Sequence, residues 1–597
     1  MSPPRAGGQP REDTRMRQQV RRVPGFRLVL ATCLVWSVAS GAEAASPAPV
    51  AGKNGMVVTA QRLASEVGVD VLRSGGNAVD AAVAVGYALA VTYPTAGNLG
   101  GGGFMTLRLK DGTTRFLDFR ERAPGRATKD MYLDAKGEPV PGLSTDGYLA
   151  VGVPGSVAGF ELARERYGTK DRAALIAPAI RLAREGFELS PGDVASFTDA
   201  NADLAKDAGA SAIFLKNGTE PYAAGERLVQ SDLAGVLEAI SERGPDGFYR
   251  GAAAEGIAKA SAAHGGILER ADFEAYKVRE LEPVRCDYRG YEIISSPPPS
   301  SGGVVICEIL NILEAYPLGY TGFGSAETVH LMAEAMRQGF VDRNSALGDP
   351  DFVKNPVETL LSQAYADKVR ARIDPNRAGV SAAMKPVGAE SHETTHYSII
   401  DKDGNAVAVT YTLNGSFGAR VVAPGTGVLL NNEMDDFTQK PGVPNLYGLV
   451  QGEANAIAPG KTPLSSMSPT IVTQGGEPVL VIGSPGGSRI ITIVAEAILN
   501  VVDHGMTIQE AVDAPRIHHQ WQPDRITIEP RALSPDTIRL LAEKGHRVAE
   551  DPNWPVWGQA AGILVGGPSL ADRDPARPER FFGAIDARAG SGAAIGY

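Results

Sequence analysis

The chain has 597 residues, 43% of them hydrophobic and 21% charged, which is the balance of an ordinary globular protein with enough apolar material for a large core. Its formal net charge is -11. This charge excludes nucleic acid as the main partner, because phosphate binding requires a clustered basic face.

The N-terminus carries the pattern of a secretory signal peptide. Basic residues between 21 and 27 precede an apolar run at 28–39, and the small-residue motif Ala42-Glu43-Ala44 follows. The apolar run is too short to span a membrane comfortably. We therefore expect cleavage of residues 1–44 near Ala44, and a mature protein that is periplasmic or secreted.

Three points about this segment stay open. Residues 1–16 are polar and basic, so translation could begin at Met1 or at Met16. The apolar run could also remain as an uncleaved anchor. Lipoprotein processing at Cys33 is the weaker interpretation, because Thr32 stands where a glycine, alanine or serine is expected.

Two cysteines remain after Cys33 leaves with the signal peptide. An exported protein could pair Cys286 with Cys307, since disulfides persist in oxidising compartments. The alternative, two separate buried thiols, is the one we expect.

From residue 45 onward the chain alternates helical and strand-like patterns. Residues 45–55 are a predicted linker, and 379–393 is a predicted exposed loop with little periodicity and few large apolar residues. Helical patterns lie at 59–72, 78–91, across 157–261, at 304–315, 490–502, 507–514 and 535–544. Strand-like runs lie at 104–110, 114–119, 396–400, 406–412, 421–422, 428–430, 470–473 and 478–482. The mixture predicts an α+β fold in which helices cover stacked antiparallel sheets.

The two runs that flank 401–405 are joined by an Asp-Lys-Asp-Gly-Asn turn, which is a strong hairpin signal. If the turn is centred on Asp403, residues whose numbers sum to about 806 lie opposite each other in an antiparallel pair. Thr394 then faces Thr412, to within one residue. The register therefore brings two threonine hydroxyls together at the mouth of a sheet.

Thr394 could act as a nucleophile only if a base removed the proton of its hydroxyl. His396 shares a strand face with Thr394, but it lies roughly 6 to 7 Å away, too far for proton transfer without a water. If the bond after Glu393 is cut, Thr394 gains an α-amine whose pKa of about 7.7 to 8.0 suits a general base. The spacing alone equally allows two ordinary strand threonines at 394 and 395.

A series of ordered motifs extends this observation. They lie at 98–104, 118–121, 394–398, 401–405, 410–414, 430–437 (Leu-Asn-Asn-Glu-Met-Asp-Asp-Phe), 463–469 (Pro-Leu-Ser-Ser-Met-Ser-Pro), 483–489 (Gly-Ser-Pro-Gly-Gly-Ser-Arg) and 514–516. Together they resemble the γ-glutamyltransferases, also called γ-glutamyltranspeptidases. The resemblance covers essentially all of residues 50–597.

The resemblance implies a four-layer αββα sandwich of the N-terminal-nucleophile hydrolase type. It implies that the precursor cuts itself between Glu393 and Thr394 into a large subunit, 45–393, and a small catalytic subunit, 394–597, which form a heterodimer. The implied substrates are glutathione and other γ-glutamyl compounds, with water, amino acids or dipeptides as acceptors. Neither a cofactor nor a metal is implied.

The resemblance assigns the reacting end of the site to two threonines and two glycines. Thr394 would form a γ-glutamyl ester, and Thr412 would hydrogen-bond its hydroxyl, as the hairpin register independently suggests. The backbone N–H groups of Gly486 and Gly487 would form the oxyanion hole, because glycine lets main chain approach a ligand closely and paired amides stabilise a developing oxyanion. A phosphate loop is a weaker interpretation, since the Gly-Lys-Ser/Thr ending is missing.

A γ-glutamyl group also carries an α-carboxylate and an α-ammonium, which require a cationic clamp and an anionic pocket. The resemblance assigns the carboxylate to Arg120, Ser465 and Ser466. It assigns the ammonium to Asn414, Glu433 and Asp436. It also places Tyr447 in a lid loop, 438–450, that could close the pocket and exclude water.

Without the resemblance, each position has an ordinary structural interpretation. Residues 120–122 could be a solvated charge run, 435–436 a loop or helix cap, and 465–466 a turn. His518 and His519 would point to opposite faces of a strand, which predicts a structural role rather than a metal site.

Two other functions stay open. A related acylase acting on cephalosporin side chains would keep the Thr394 mechanism but accept a glutaryl group, which lacks the ammonium. The presence of Asn414 and Asp436 argues against it. A non-enzymatic, unprocessed binding protein is opposed by Thr394, Thr412 and the paired glycines.

Overall fold

The strand patterns of the sequence form two seven-stranded antiparallel sheets in the computed structural model, which describes residues 46–381, 394–551, 557–574 and 576–597. The predicted signal peptide, Glu393 and most of the predicted loop before it lie outside the described residues. None of the helices in the described ranges is long and apolar enough to cross a membrane.

The strands have the following bounds: β1 Val50–Gly52, β2 Gly55–Thr59, β3 Gly102–Arg108, β4 Thr114–Asp118, β5 Phe187–Glu188, β6 Arg227–Leu228, β7 Arg279–Leu281, β8 Val284–Tyr288, β9 Tyr291–Ser295, β10 Thr395–Asp401, β11 Ala406–Thr412, β12 Thr470–Gln474, β13 Glu477–Gly483, β14 Ile517–His518, β15 Ile526–Ile528, β16 Val548–Glu550, β17 Ala561–Val565, β18 Phe581–Ile585 and β19 Ala593–Gly596.

The α-helices have the following bounds: α1 Arg62–Arg73, α2 Ala78–Thr92, α3 Ser156–Tyr167, α4 Arg172–Glu185, α5 Pro191–Thr198, α6 Asn201–Leu204, α7 Ala208–Phe214, α8 Ser231–Arg243, α9 Pro245–Tyr249, α10 Ala252–Ala263, α11 Arg270–Ala275, α12 Gly302–Leu313, α13 Leu318–Thr321, α14 Ala326–Ala346, α15 Val357–Leu360, α16 Gln363–Arg370, α17 Ile490–Val502, α18 Ile508–Asp513 and α19 Pro535–Glu543. Short 3₁₀ turns include Glu433–Asp436 and Gly487–Arg489.

The two large sheets stack face to face between two layers of helices. One sheet has the order β19-β2-β10-β11-β3-β4-β7, and the other has the order β1-β18-β17-β13-β12-β9-β8. Their facing side chains form one buried apolar cluster, which includes Val58 and Ala408 from the first sheet and Val481 and Ile563 from the second. Helices α1, α2, α4 and α8 cover the first sheet, and α12, α14, α17 and α18 cover the second. The αββα architecture predicted above is confirmed.

Helix α2 illustrates how the sequence specifies the outer layer. Asn77 accepts a hydrogen bond from the Asp80 backbone N–H, and the Asp80 side chain accepts one from the Asn77 N–H, so the helix begins with a capping box. All of its residues are buried. This explains why its sequence is apolar on nearly every side.

Some predicted boundaries are wrong. The segment 45–55, predicted as a linker, contains β1 and the start of β2, and Thr59 ends β2 instead of starting a helix. The error has a physical cause, because β2 is buried between two neighbouring strands and so lacks the alternation of a half-exposed strand. The predicted strands near 421 and 428 form only isolated bridges, Val422 with Leu429 and Leu430 with Gly100.

The expectation of two separate thiols is also wrong. Cys286 in β8 and Cys307 in α12 form a disulfide, with their Cα atoms 5.8 Å apart. The β8–β9 hairpin reverses the chain, and α12 then packs back against β8, which brings together cysteines that are 21 residues apart in sequence. This return of the chain could not be predicted from cysteine spacing.

Candidate functional site

Thr394 directly precedes β10, and Thr412 ends β11. The two strands pair Thr395 with Tyr411, which is the register predicted from the turn. The hydroxyl oxygens of Thr394 and Thr412 are consequently 3.3 Å apart, and both residues are buried. The hairpin thus places a second hydroxyl within hydrogen-bond distance of the predicted nucleophile.

The Thr412 hydroxyl is held from its other side by backbone. The N–H of Asn414 donates to the Thr412 oxygen at 2.8 Å. Asn414 itself has a φ of 77°, a left-handed conformation that asparagine tolerates better than most residues. Its side-chain amide donates to the carbonyl of Asn432 at 2.9 Å. These bonds orient Thr412 so that its own proton can be directed at the Thr394 oxygen.

His396 is not placed to act as the base for Thr394. Its Nδ1 lies 2.8 Å from the Thr410 hydroxyl, and its Nε2 lies 3.1 Å from the Ser398 hydroxyl. Burial lowers the pKa of His396 to about 3. The neutral His396 ring therefore has a polar partner at each nitrogen and links the strands of the hairpin. The proton of the Thr394 hydroxyl must be removed by another group.

The glycine turn at 486–487 lies between β13 and α17. Gly486 and Gly487 have φ values of 138° and 55°, which side chains disfavour. A Cβ on Gly487 would also collide with the ring of Tyr447. Gly487 lines the same cavity as Thr394, whereas Gly486 lies just outside its lining.

At the opposite end of the cavity Arg120 is buried between two acids. Its Nη1 lies 2.7 Å from Glu433 Oε1, its Nη2 bonds Asp436, and its Nε donates to the Pro463 carbonyl at 3.0 Å. Burial opposes the charged form of Arg120, but the two carboxylates outweigh this effect and hold its pKa above the ordinary value. Burial also raises the pKa of the Glu433 carboxyl, against the effect of Arg120. The predicted cationic and anionic groups are therefore in mutual contact.

Ser465 and Ser466 form the wall next to this ion cluster. The Ser465 hydroxyl accepts a hydrogen bond from the Met467 N–H at 3.0 Å. The Ser466 hydroxyl accepts one from Nη2 of Arg343 at 3.1 Å. Arg343 was not predicted from the sequence, although it follows Met336 and Phe340 at helical spacing on the buried face of α14, where a charged residue is unusual.

One cavity, with about 270 Å³ of atom-free space, joins the two ends. Every predicted site residue of the described chain except Gly486 lines it. The lining residues are Arg120, Thr394, Thr412, Asn414, Glu433, Asp436, Tyr447, Ser465, Ser466 and Gly487, with the apolar Leu449, Met467 and Ile490. The apolar residues were not predicted, because a single wall methionine or leucine has no sequence signal that separates it from core.

Comparison with known proteins identifies this arrangement. The family model described as gamma-glutamyltranspeptidase matches residues 64–587. The chain belongs to the γ-glutamyltranspeptidase family. It is 59% identical over 572 residues to the glutathione hydrolase proenzyme of Pseudomonas sp. (strain A14), with coverage of 95% of this chain and 97% of that protein. Family membership confirms the resemblance and the prediction that the chain is an enzyme.

Two further comparisons support the same assignment. The glutathione hydrolase proenzyme of Escherichia coli (strain K12) is 52% identical, with coverage of 87% of this chain and 89% of that protein. The crystal structure of cephalosporin acylase from Bacillus halodurans superposes with a TM-score of 0.80 at 29% identity, covering 94% of this chain and 99% of that one. The γ-glutamyltranspeptidase fold therefore extends over nearly the whole chain.

Histidines elsewhere in this family member make structural contacts. His518 Nδ1 lies 2.9 Å from the Thr492 hydroxyl, and its Nε2 lies 2.9 Å from Gln520 Oε1. His519 Nε2 lies 3.3 Å from Nη2 of Arg337 and 3.4 Å from Asp524. His518 ends β14 and His519 follows it, and each ring has its own polar neighbours, in agreement with a structural role.

One histidine–carboxylate group in the described ranges has atoms close enough to consider a metal ion, namely His330, Glu334 and His546. However, His330 Nδ1 and His546 Nε2 are 2.7 Å apart, a hydrogen-bond distance shorter than the about 3.3 Å expected between two nitrogens on one tetrahedral zinc. Arg337 also bonds Glu334. The group holds α14 against the segment that carries His546 and lies outside the cavity.

Proposed function

We propose that this protein is a glutathione hydrolase and γ-glutamyltransferase with an N-terminal threonine nucleophile. The observation that carries the proposal is the 3.3 Å contact between the Thr394 and Thr412 hydroxyls in a cavity that also exposes Arg120, Glu433 and Asp436. A nucleophile at one end and a set of charged groups at the other match the two ends of a γ-glutamyl donor. Names of similar proteins point to the same activity.

Maturation would begin with attack of the Thr394 oxygen on the carbonyl carbon of Glu393. The peptide C–N bond breaks as a C–O ester bond forms, and the nitrogen takes a proton to become the α-amine of Thr394. Water then hydrolyses the ester, which leaves a carboxylate on Glu393 and a free hydroxyl on Thr394. The product is a large chain ending at 393 and a small chain beginning at 394.

In the mature enzyme the α-amine would take the hydroxyl proton of Thr394 as its oxygen attacks the γ-amide carbonyl. Thr412 would donate to the Thr394 oxygen and keep it aimed at the carbonyl. The N–H groups of Gly486 and Gly487 would stabilise the oxyanion. The protonated amine then gives its proton to the leaving nitrogen, and a γ-glutamyl ester remains on Thr394.

The second half of the reaction would reverse these roles. The amine of Thr394 takes a proton from water or from the amino group of an amino acid or dipeptide, which attacks the ester carbonyl. The C–O bond to Thr394 breaks, and its oxygen recovers a proton. Water yields free glutamate, and an amino acceptor yields a new γ-glutamyl amide.

Recognition of the donor would use the charged end of the cavity. The α-carboxylate would lie against Arg120, Ser465 and Ser466, and the α-ammonium against Asn414, Glu433 and Asp436. Because Arg120 already pairs with both acids, the donor's zwitterion would insert into an existing ion cluster without requiring an isolated buried charge. Tyr447 would close the remaining side.

An acylase that accepts glutaryl or cephalosporin side chains is the second candidate, because an acylase structure shares this fold. A glutaryl donor has no ammonium, so it would leave the carboxylates of Glu433 and Asp436 without the partner that a γ-glutamyl donor supplies. The charge of the cavity therefore favours the γ-glutamyl donor.

We also propose that the chain is exported after removal of residues 1–44. The disulfide between Cys286 and Cys307 supports this proposal, because such bonds persist mainly in oxidising compartments. N-terminal sequencing of protein recovered from the periplasm and the medium tests it. A mature start near Ala45 is expected, and an intact start at Met1 or Met16 would contradict it.

The activity is tested by comparing the γ-glutamyl and glutaryl p-nitroanilides side by side on the purified protein, with an intact-mass spectrum of the same sample. We expect two chains separated between 393 and 394, and a clear preference for the γ-glutamyl donor. A preference for the glutaryl donor would favour the acylase. An unbroken chain that still turns over γ-glutamyl donors would exclude the mechanism.

A further inference from the structure

Arg343 does not line the cavity itself but forms a hydrogen bond to a residue that does. It is 1% exposed and projects from α14, in the part of the chain before Thr394. Its Nη2 donates to the Ser466 hydroxyl at 3.1 Å, and Ser466 lines the cavity. The guanidinium thus reaches the proposed carboxylate subsite through a single side chain.

The partners of Arg343 are all neutral. Nη1 donates to the side-chain oxygens of Asn344 at 2.9 Å and Gln451 at 3.2 Å, and Nε has no hydrogen-bond partner among the described residues. No carboxylate in the described ranges comes within the 4.0 Å of an ion pair with this guanidinium. Burial lowers the pKa of Arg343 to about 10. Asp436 attracts the guanidinium from beyond ion-pair distance, and Arg120 repels it, so the buried charge has no directly paired carboxylate in the described part of the chain.

Arg120 is in the opposite situation. Glu433 and Asp436 both pair with it, so its positive charge is already balanced inside the protein. A donor carboxylate that contacts Arg120 would therefore meet a guanidinium flanked by two negative groups. A second cation without an ion-pair partner would therefore add to the attraction that Arg120 offers to that carboxylate.

We propose that Arg343 supplies the donor carboxylate subsite with a positive charge that forms no ion pair with a described carboxylate, and that it acts through Ser466. This inference rests on the proposed γ-glutamyl activity. The Arg343 N–H occupies a lone pair of the Ser466 oxygen, which directs the Ser466 proton into the cavity, where a carboxylate would accept it. Arg343 is a positioning residue, since it does not line the cavity itself, and no proton is transferred.

Specificity follows from this arrangement. A donor that brings a carboxylate gives Arg343 a second negative group besides the more distant Asp436, whereas a donor without a carboxylate does not. The 4-aminobutyryl p-nitroanilide keeps the amide and the ammonium of the γ-glutamyl compound and lacks only the carboxylate. The ratio of kcat/KM between these two donors therefore measures the carboxylate subsite.

The test uses the mature wild-type protein, R343M, S466A and the R343M/S466A double variant, with both p-nitroanilides. R343M is expected to raise KM for the γ-glutamyl donor about tenfold with a much smaller change in kcat, and to lower the donor ratio similarly, because a charge-assisted interaction is lost. Since Arg343 acts through Ser466, the double variant should be only slightly worse than the worse single variant. Additive losses would overturn the proposed route through Ser466.

R337M is the matched control. Arg337 is also a buried arginine of α14, but Glu334 and Asp524 pair with it, and it does not line the cavity. This variant should lose thermal stability and keep the wild-type KM and donor ratio. An equal fall of the donor ratio in R337M would show that any disturbance of α14 suffices, and would overturn the inference.

If R343M fails to mature, R343K carries the test, because lysine keeps the charge and loses the planar fork. R343K should keep part of the donor preference, with a KM between those of the wild type and S466A. A wild-type KM and donor ratio in R343M would overturn the role of Arg343, and a donor ratio in R343K as low as that of S466A would overturn the role of its charge. Failure of the proposed function itself looks different, since the wild-type protein would then not turn over the γ-glutamyl donor.

Discussion

The hydroxyl of Tyr447 donates a 2.7 Å hydrogen bond to the backbone carbonyl of Asn414, two residues beyond Thr412. The ring of Tyr447 also packs where a side chain on Gly487 would stand. One aromatic residue therefore connects the loop at 438–450 with the β10–β11 hairpin and the glycine turn.

Replacing Tyr447 by phenylalanine is expected to loosen this connection. Loss of one partner from a buried hydrogen bond costs about 1–3 kcal/mol, so kcat/KM for a γ-glutamyl p-nitroanilide should fall by roughly 5- to 160-fold. Steady-state kinetics measure the effect. Tyr132→Phe is the matched control, because Tyr132 donates a similar 2.9 Å bond to the Leu149 carbonyl outside the cavity. Equal kinetics for both variants would contradict the role of Tyr447.

Thr394→Ala is expected to remain a single chain and to be inactive, because the oxygen needed for both maturation and ester formation is gone. Gel electrophoresis and intact mass measure the first effect, and p-nitroanilide release measures the second. Thr395→Val serves as the control, since the buried Thr395 hydroxyl has no hydrogen-bond partner among the described residues. Cleavage of Thr394→Ala at the same bond would refute the mechanism.

Arg120→Ala is expected chiefly to raise KM for the γ-glutamyl donor, by roughly 10- to 100-fold, because a charge-assisted clamp is removed. The thermal midpoint should also fall, since Glu433 and Asp436 lose their buried counter-charge. Arg115→Ala is the control: Arg115 pairs with Glu280 and Glu282 at a more exposed position. An unchanged KM for Arg120→Ala would show that the clamp is misassigned.

The stability of the protein should fall as the pH drops below about 6.5, in part through His546. Burial, with the positive groups around it, lowers the pKa of His546 to about 3. Between this value and the ordinary histidine pKa, His546 is therefore protonated in the unfolded chain and neutral in the folded protein. The contribution of this group is complete above the ordinary histidine pKa and is lost as the pH falls from about 6.5 towards 3, with a slope of at most about 1.4 kcal/mol per pH unit.

Thermal midpoints of the wild type and His546→Gln between pH 7.5 and 4.5 test this expectation. The wild type should be the more stable at pH 7.5, and the difference should narrow as the pH falls. A constant difference between the wild type and His546→Gln would refute the titration of this group.

Much of the site could be predicted from the sequence because it depends on local geometry. A five-residue turn fixes the register of β10 and β11, and the register alone brings Thr394 to Thr412. The ordered motifs then identify residues that meet in one cavity although they are far apart in sequence. The layers of the fold follow from the same alternation of helical and strand patterns.

What could not be predicted depends on long-range packing. The strand β2 is buried on both sides, so its residues do not alternate. Cys286 meets Cys307 only because α12 packs back against β8. Arg343 has the sequence signal of any charged helix residue, and only the fold shows that none of the described carboxylates forms an ion pair with it. Each case requires knowledge of a neighbour that sequence spacing does not supply.

The order of the first large sheet has a consequence for the cleavage proposed before Thr394. Strands β10 and β11, which follow that bond, insert between β2 and β3, which precede it, and β19 pairs with the outer edge of β2. Cleavage of the peptide bond before Thr394 would therefore leave two polypeptides whose strands alternate within one sheet. Neither polypeptide could dissociate without breaking the hydrogen bonds between the central strands of this sheet. Cleavage that frees one amine would therefore leave the two polypeptides associated.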